Sequence, residues 1–360
     1  MTCRLCAATR TETFVDLGLA PLSPAPTADD GPQTLYPLRP FLCADCLLVQ
    51  LPAHGSTAPG APVGHARRFV DTMTGELRLG PDSLVVEVGG SALADGFAAA
   101  GVPARAVDTP DGIAADLVVA VNAYAQTPDL VGLTAALASS LKPDGLLTLE
   151  FPHLLRMIER RRYDAIVHGR HQYLSLLTAQ RALATAGLMV VEVDELSSYG
   201  GSLRVHARHD AAAGEPSSNA KSVLEAEDEA GLHTVDGHRG FADAVFRVKR
   251  DLLEFLLTAR SGGRRVVAYG TPGGGTTLLD HAGVRADLLD YVAIEGVAGS
   301  GHVLPGSRVP VDAVARIARD RPDYVLVLPS HLRTELAARL AYVRDWGGRL
   351  VFPIPTLDVV

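Results

Sequence analysis

Aromatic residues are scarce in this chain, at 5% of 360 residues, and no apolar run is long enough to cross a bilayer. Nothing reads as a secretory signal, so the expected location is cytoplasmic, with no membrane partner. An excess of basic residues is also missing. Lys and Arg number 33 against 41 Asp and Glu, a formal charge of −8, which argues against a nucleic-acid partner because phosphate backbones are held by clustered cations. The short basic runs at 160–162 and 247–250 read as solvated helix faces. No glycine-rich turn carries the lysine of a P-loop, and no Ser-His-Asp order or nucleophile elbow is present.

What remains is length and aliphatic content. At 47% apolar residues, the chain fills more than one core, and two or three domains suit its size. Plentiful Ala, Gly and Val favour parallel sheets under tightly packed helices, and strand and helix patterns alternate, so the fold class is α/β. Strands are expected at 83–90, ending at Asp108, ending at Asn122, and at "LLTLEFP", with "LMVVEVDEL" and "GGSLRVHARH" as a closing pair. Residues 56–63 read as a linker and 211–225 as a boundary, followed by an amphipathic helix through "FADAVFRVKRDLLEFLLTAR". A second α/β unit then opens at "RRVVAYG".

All four cysteines lie within the first 46 residues, as Cys3/Cys6 and Cys43/Cys46. Two knuckles with two-residue gaps are the framework of a tetrahedral zinc site; redox pairs or separate buried thiols are the plainer alternatives. Four protein ligands leave no open coordination position, so a zinc held there is structural.

Two glycine turns stand at strand ends. In "VVEVGGSALADG", Glu87 precedes Gly89 and Gly90, and Asp108 ends the next strand, where a carboxylate can accept from ribose hydroxyls. Simple turn sterics explain the same glycines. In "AYGTPGGGTTLL", Gly273, Gly274 and Thr276 offer backbone N–H groups and a hydroxyl to an anion, or form a ligand-free loop.

The ordered set "CRLC", "FLCADCLLVQL", "VVEVGG", "VNAYAQTPDL", "LKPDGLLTLEFPHL", "YDAIVHGRHQYLSL", "YGGSLRV", "AYGTPGGGTTLLDHAGV" and "PGSRVPV" resembles the three-domain, S-adenosylmethionine-dependent sugar C-methyltransferases across nearly the whole chain. The resemblance implies a zinc-binding domain (1–55), a linker and helix (56–82), a Rossmann-like methyltransferase domain (83–210), a linker and helix (211–262) and a C-terminal α/β domain (263–360). It also implies a small-molecule substrate, with a nucleotide-linked keto sugar methylated at carbon. S-adenosylmethionine and structural zinc are the implied cofactors.

That chemistry needs a base beside the ketone and groups that stabilise the enolate. The family's Tyr-His-Glu-His is here Val167, His168, Gly169 and Arg170, and its Asn-x-x-Ala-His ends in Gln126. Its Gly-x-Asn-Asp-Gly turn is "GGSALADG", and a helix between Asp108 and Asp116 is not evident. The candidates for proton handling are therefore His168, Arg170, His171, Gln126 and Tyr173. Cofactor contacts fall to Glu87, Gly89, Gly90, Asp108 and Asn122, and substrate contacts to Glu150, Arg204, Gly273, Gly274, Thr276 and His331. Glu150 and Arg204 match the family, and an ion pair between them is the plainer role. Two outcomes are open: a methyltransferase with a rebuilt centre, or a relative that performs an elimination, isomerisation or cyclisation, or that binds without turnover.

Overall fold

The computed structural model describes residues 1–28, 31–54, 66–90, 92–110, 112–271, 275–297 and 301–360, so the linker-like stretch 56–63 lies outside the described residues. The N-terminal module is made of short strands: β1 (Thr11–Thr13), β2 (Leu19–Pro21), β3 (Thr27–Ala28), β4 (Leu35–Pro37), β5 (Phe41–Cys43) and β6 (Val49–Gln50). β1, β5 and β6 pair antiparallel, as do β2 and β4.

Helix α1 (Ala66–Glu76) buries Phe69, Val70 and Met73, and leads into the central unit. There β7 (Val85–Val88), α2 (Leu93–Ala99), β8 (Ala104–Val107), β9 (Ala115–Val121), α3 (Ala123–Gln126), α4 (Leu130–Ser139) and β10 (Leu141–Pro152) follow in turn. β8, β7, β9 and β10 run parallel, and the aliphatic runs of β7 and β9 are buried on both faces, as a helix-covered parallel sheet requires. Among the described residues no helix joins β8 to β9. Beyond β10 come α5 (Leu154–Glu159), β11 (Gln172–Tyr173), α6 (Leu176–Ala184), β12 (Leu188–Leu196) and β13 (Ser202–His209). β13 joins β10 antiparallel, and β12 pairs β13, giving the order β12-β13-β10-β9-β7-β8. β11 leaves this unit to pair β6, stitching the N-terminal module onto it.

The stretch that reads as a boundary by composition is partly helical. α7 (Ser218–Glu229) is capped by Ser217, whose hydroxyl accepts from Ala220 N, and it buries Ala220, Val223 and Glu227. α8 (Asp236–Ser261) follows, with its apolar stripe Phe241, Val245, Val248, Leu252 and Leu256 buried.

The last unit contains β14 (Val266–Gly270), α9 (Thr276–Ala282), β15 (Val292–Ile294), β16 (His302–Val303), β17 (Pro310–Ala313), α10 (Ala315–Asp320), β18 (Tyr324–Val327), α11 (Arg333–Arg339), β19 (Arg349–Phe352) and β20 (Asp358–Val359). β17, β15, β14, β18 and β19 are parallel, with antiparallel edges, and β3 of the N-terminal module adds to the β16 edge. One core joins this sheet, α8 and the N-terminal module, where Phe14 stacks on Phe241 at 4.8 Å.

Candidate functional site

The two cysteine knuckles meet. Cys3 Sγ lies 3.4 Å from Cys46 Sγ, Cys6 Sγ lies 3.6 Å from Cys43 Sγ, and all four sulfurs fall within 4.8 Å of one another. A disulfide needs about 2.05 Å, whereas thiolates around zinc at ~2.3 Å form a tetrahedron with edges of about 3.8 Å. The donor set therefore fits a structural zinc. The amides of Gln50 (Nε2, 3.1 Å) and Leu5 (N, 3.4 Å) donate to Cys3 Sγ, which favours the thiolate. Arg181 donates to the Cys46 carbonyl, and Arg4 to the His171 carbonyl, so the clasp braces the neighbouring unit.

A cleft of about 610 Å³ opens at the carboxyl ends of β7, β8 and β9, the edge where doubly wound sheets bind ligands. Gly89, Asp108, Gln126 and Asp129 line it. Gly89 has φ +100°, and a Cβ there would stand 3.2 Å from the Val121 carbonyl, so only glycine keeps this turn open. Asp108 is exposed toward the cleft. Asp129 accepts from Gly132 N and fixes the start of α4. Glu87 is buried, and its Oε2 accepts from Ala94 N at 2.7 Å, holding the first turn of α2. Gly90 is also left-handed (φ +67°). Asn122 closes β9 at φ 58°, with its N–H on the Glu150 carbonyl and a buried Oδ1 that has no partner.

The segment 166–173 forms a loop tied to this cleft through His171 N, which donates to Ala125 O at 2.7 Å. The Tyr173 hydroxyl accepts from Val167 N (3.1 Å) and donates to Val167 O, pinning the loop to itself. Arg170 donates to the Ala165 carbonyl, while its Nε is buried without a partner. His168 is 1% exposed, edge-on to His54 (5.4 Å) and Tyr36 (6.3 Å), and neither ring nitrogen has a hydrogen bond of acceptable geometry. Burial and then His54 hold its imidazole below the usual range, against the opposing pull of the Tyr36 and Ala20 carbonyls. His171 is lowered to about 4 by burial, with Arg4, His168 and His54 adding to the effect, so it is neutral at pH 7. Asp164, the acid of this segment, is taken by Arg162 (2.7 and 2.9 Å).

The substrate candidates are spread. Arg204 donates to Glu150 Oε1 at 2.8 Å and lies over the Phe69 ring at 4.6 Å. The Thr276 hydroxyl donates to the Pro24 carbonyl, and that of Thr277 to Ile166 O, so the start of α9 holds both the N-terminal module and the 166–173 loop. Gly273 and Gly274 lie outside the described residues. His331 sits on the short turn Ser330–Leu332, where a Cβ on Gly200 would approach its Cβ to 3.2 Å.

One pair has no forewarning in the sequence. Glu227 of α7 is fully buried; its Oε1 is 2.7 Å from His153 Nε2, and its carboxylate accepts from the N–H groups of Leu176 and Leu177 at the start of α6. Residues 153 and 227 are 74 apart, so no local spacing signals them. His54 and Tyr36, which flank His168, carry no signal in the sequence either, because each is a lone polar residue, Tyr36 in a three-residue strand and His54 in an irregular segment.

Residues 3–58 match a family described as a zinc binding domain, and residues 197–355 match the C-methyltransferase C-terminal domain. The C-methyltransferase NovU of Streptomyces niveus is 28% identical over 404 residues, covering 99% of this chain and 96% of that protein. Among solved structures, an S-adenosylmethionine-dependent methyltransferase of Mesorhizobium loti is 16% identical over 41% of this chain and 99% of its own, with a TM-score of 0.31. Magnesium protoporphyrin IX methyltransferase of Synechocystis PCC 6803 is 16% identical over 40% of this chain and 83% of its own, with a TM-score of 0.30. Likenesses that faint add nothing to the reading of the site. With the four-cysteine clasp, the Rossmann-like sheet and the two family matches in hand, the chain belongs to the C-methyltransferases that carry an N-terminal zinc-binding domain.

Proposed function

We propose that the chain binds S-adenosylmethionine in the cleft beside Gly89 and Asp108 and methylates a carbon next to a carbonyl in a sugar-like small molecule, with a nucleotide-linked keto sugar as the acceptor class. One observation carries this reading: the cleft, with its open glycine turn and exposed Asp108, adjoins α3, and α3 is hydrogen-bonded to the loop bearing His168, Arg170 and His171. The methyl donor supplies an electrophilic methyl group; the protein must make the carbon nucleophilic. That calls for a base that is unprotonated at neutral pH and a cation near the developing enolate oxygen. His168, held neutral by burial, takes the proton in this reading; Arg170 supplies the charge, and Gln126 orients the acceptor.

Gly169 and Arg170 stand where the resembled family has Glu and His, so the loop itself provides no carboxylate-backed imidazole, and Asp164 is engaged by Arg162. This supports a second reading, in which the fold binds its ligands without transferring methyl, serving an elimination, isomerisation, cyclisation or pure binding. The two separate on one experiment. The zinc-loaded protein is incubated with methyl-labelled S-adenosylmethionine and a nucleotide-linked 4-keto deoxysugar, and products are analysed by mass spectrometry. Label on the sugar carbon supports transfer. Unlabelled sugar alongside intact donor, under conditions where a family member turns over, removes it.

A further inference from the structure

The basic run at 160–162 is built into the fold rather than solvated as a helix face. Arg162 is 7% exposed and paired with Asp164, and its Nη1 donates to the Tyr199 carbonyl at 3.3 Å. Arg160 donates to the Gly200 carbonyl at 2.6 Å. Together they hold the turn before β13, in which Tyr199 is left-handed (φ 53°, ψ 22°), a conformation that bulky residues rarely adopt. The turn is closely packed: a Cβ on Gly200 would stand 2.0 Å from Arg162 Nη1 and 3.2 Å from the Cβ of His331, on the Ser330–Leu332 turn of the last unit. Tyr199 nevertheless keeps its ring 39% exposed, and among the described residues its hydroxyl has no hydrogen-bond partner. Backbone strain of this kind collects where ligands are held.

Arg170 belongs to the same cluster. The titratable groups within electrostatic reach of its guanidinium are Tyr173, Tyr199, Arg162 and Asp164. Only Asp164 is acidic, and Arg162 takes both of its oxygens, at 2.7 and 2.9 Å. Those two charges cancel, so Arg170 leaves one positive charge without a counter-charge. His331 adds none: burial, with Arg162 beside it, lowers its pKa to about 4 against the pull of Asp164, so it is neutral at pH 7. Arg170 Nη1 donates to the Ala165 carbonyl, Nε is shut off from water with no acceptor, and Nη2 bonds to no described group. An enclosed cation without an anion is costly, and a fold that retains one is placed to receive a charge that a ligand brings. Gly169, next in the chain, presents no side chain to repel it.

We propose that Arg170 and Tyr199 form a carboxylate subsite at this seam between the two α/β units, and that the acceptor is a sugar acid. The planar guanidinium matches a carboxylate, and the phenol supplies a second donor. A carboxylate one carbon away from the ketone puts both groups within reach of a single guanidinium, so pairing with the acid leaves Arg170 beside the developing enolate. The nucleotide-linked sugar is taken from the preceding reading; the acid group is what this seam adds.

The test is a calorimetric titration of the full-length, zinc-loaded protein with UDP-glucose and UDP-glucuronic acid, which differ by a hydroxymethyl against a carboxylate. Wild type is expected to bind the acid about 10-fold or more tightly, the size of one charge-assisted contact. In Arg170→Gln that preference falls to within about 2-fold, and Arg170→Lys recovers part of it, because the charge is kept and the fork is lost. Tyr199→Phe lowers it by about 3-fold, as loss of one hydrogen bond does. Comparing the two sugars within each variant cancels any general loss of fold. Equal affinities in wild type, or a preference that survives in Arg170→Gln, overturn the proposal. If neither nucleotide binds, the nucleotide-linked acceptor class fails, and the subsite is judged alone by the Arg170 Nε–H resonance in a proton–nitrogen NMR spectrum, identified by its loss in Arg170→Gln. A saturable shift with glucuronate and none with glucose supports the carboxylate subsite. No shift, or the same shift with inorganic phosphate, which marks an adventitious ion only, overturns it.

Discussion

Removing the Glu227 carboxylate should destabilise the protein far more than its place in a polar, linker-like stretch suggests. The side chain is fully buried and serves three donors: His153 Nε2, Leu176 N and Leu177 N. Glu227→Ala strands all three away from water. Each orphaned donor costs roughly 1–3 kcal/mol, so the three together cost about 4 kcal/mol or more. For a unit of this size, 1 kcal/mol moves Tm by about 2–4 °C, which gives a fall of about 10 °C. Glu227→Gln keeps the shape and one acceptor, and should lose about half as much. Scanning calorimetry on the zinc-loaded chain reads the melts, and a double-mutant cycle with His153→Ala isolates the pair, since partners in contact should be non-additive. A surface change typically costs within about 0.5 kcal/mol, so a Glu227→Ala melt within about 1–2 °C of wild type would show that α7 is a passive connector and refute the reasoning.

Chelating the zinc, or replacing Cys43 with Ser, should unfold the N-terminal module, because ligand binding at such sites is itself folding free energy; the check is loss of bound zinc by atomic absorption together with new protease cuts within residues 1–54. Neither carboxylate oxygen of Asp280 has a well-formed hydrogen bond, and burial pushes its pKa up to about 7 against the pull of Arg285 and the nearby Ser307 N–H. A carboxyl raised on folding stays protonated while its unfolded counterpart ionises, so the stability it contributes is complete below about 4 and is lost progressively as pH rises to about 7. Asp280→Asn should therefore match wild type near pH 4 and melt increasingly higher as pH rises to about 7 and beyond; a pH-independent difference would contradict this. Gly89→Val closes the turn at φ +100°, 3.2 Å from the Val121 carbonyl, and should weaken S-adenosylhomocysteine binding about 10-fold or more with an unchanged zinc content, as titration calorimetry can establish.

The parts of the fold readable in the sequence are those fixed by local chemistry. The paired CxxC knuckles, the aliphatic run of β9 and the amphipathic α8 each carry their own signal over a few residues. The Glu150–Arg204 ion pair, the plainer role for two residues that match the resembled family, forms because β10 and β13 pair with those residues opposite each other. The "SSNAKSVLE" stretch misleads, because Ser, Asn and Glu suit a loop and a capped helix alike; only the burial of Ala220, Val223 and Glu227 against the central unit decides for helix. The 166–173 loop shows the same limit. Its residue types suggest proton chemistry, yet Tyr173 spends its hydroxyl on the loop backbone, and His168 meets His54 and Tyr36 from a module more than a hundred residues away in sequence. Long-range partners of this kind leave no periodicity to read.

The measurement that bears most directly on the whole account is a calorimetric titration of the zinc-loaded protein with S-adenosylhomocysteine, run in parallel on wild type and Asp108→Ala. Saturable binding to wild type that weakens at least tenfold in the variant is the expected result, placing the nucleoside at the end of β8. Heat of dilution alone for the wild type, or equal affinity in the two proteins, would contradict it.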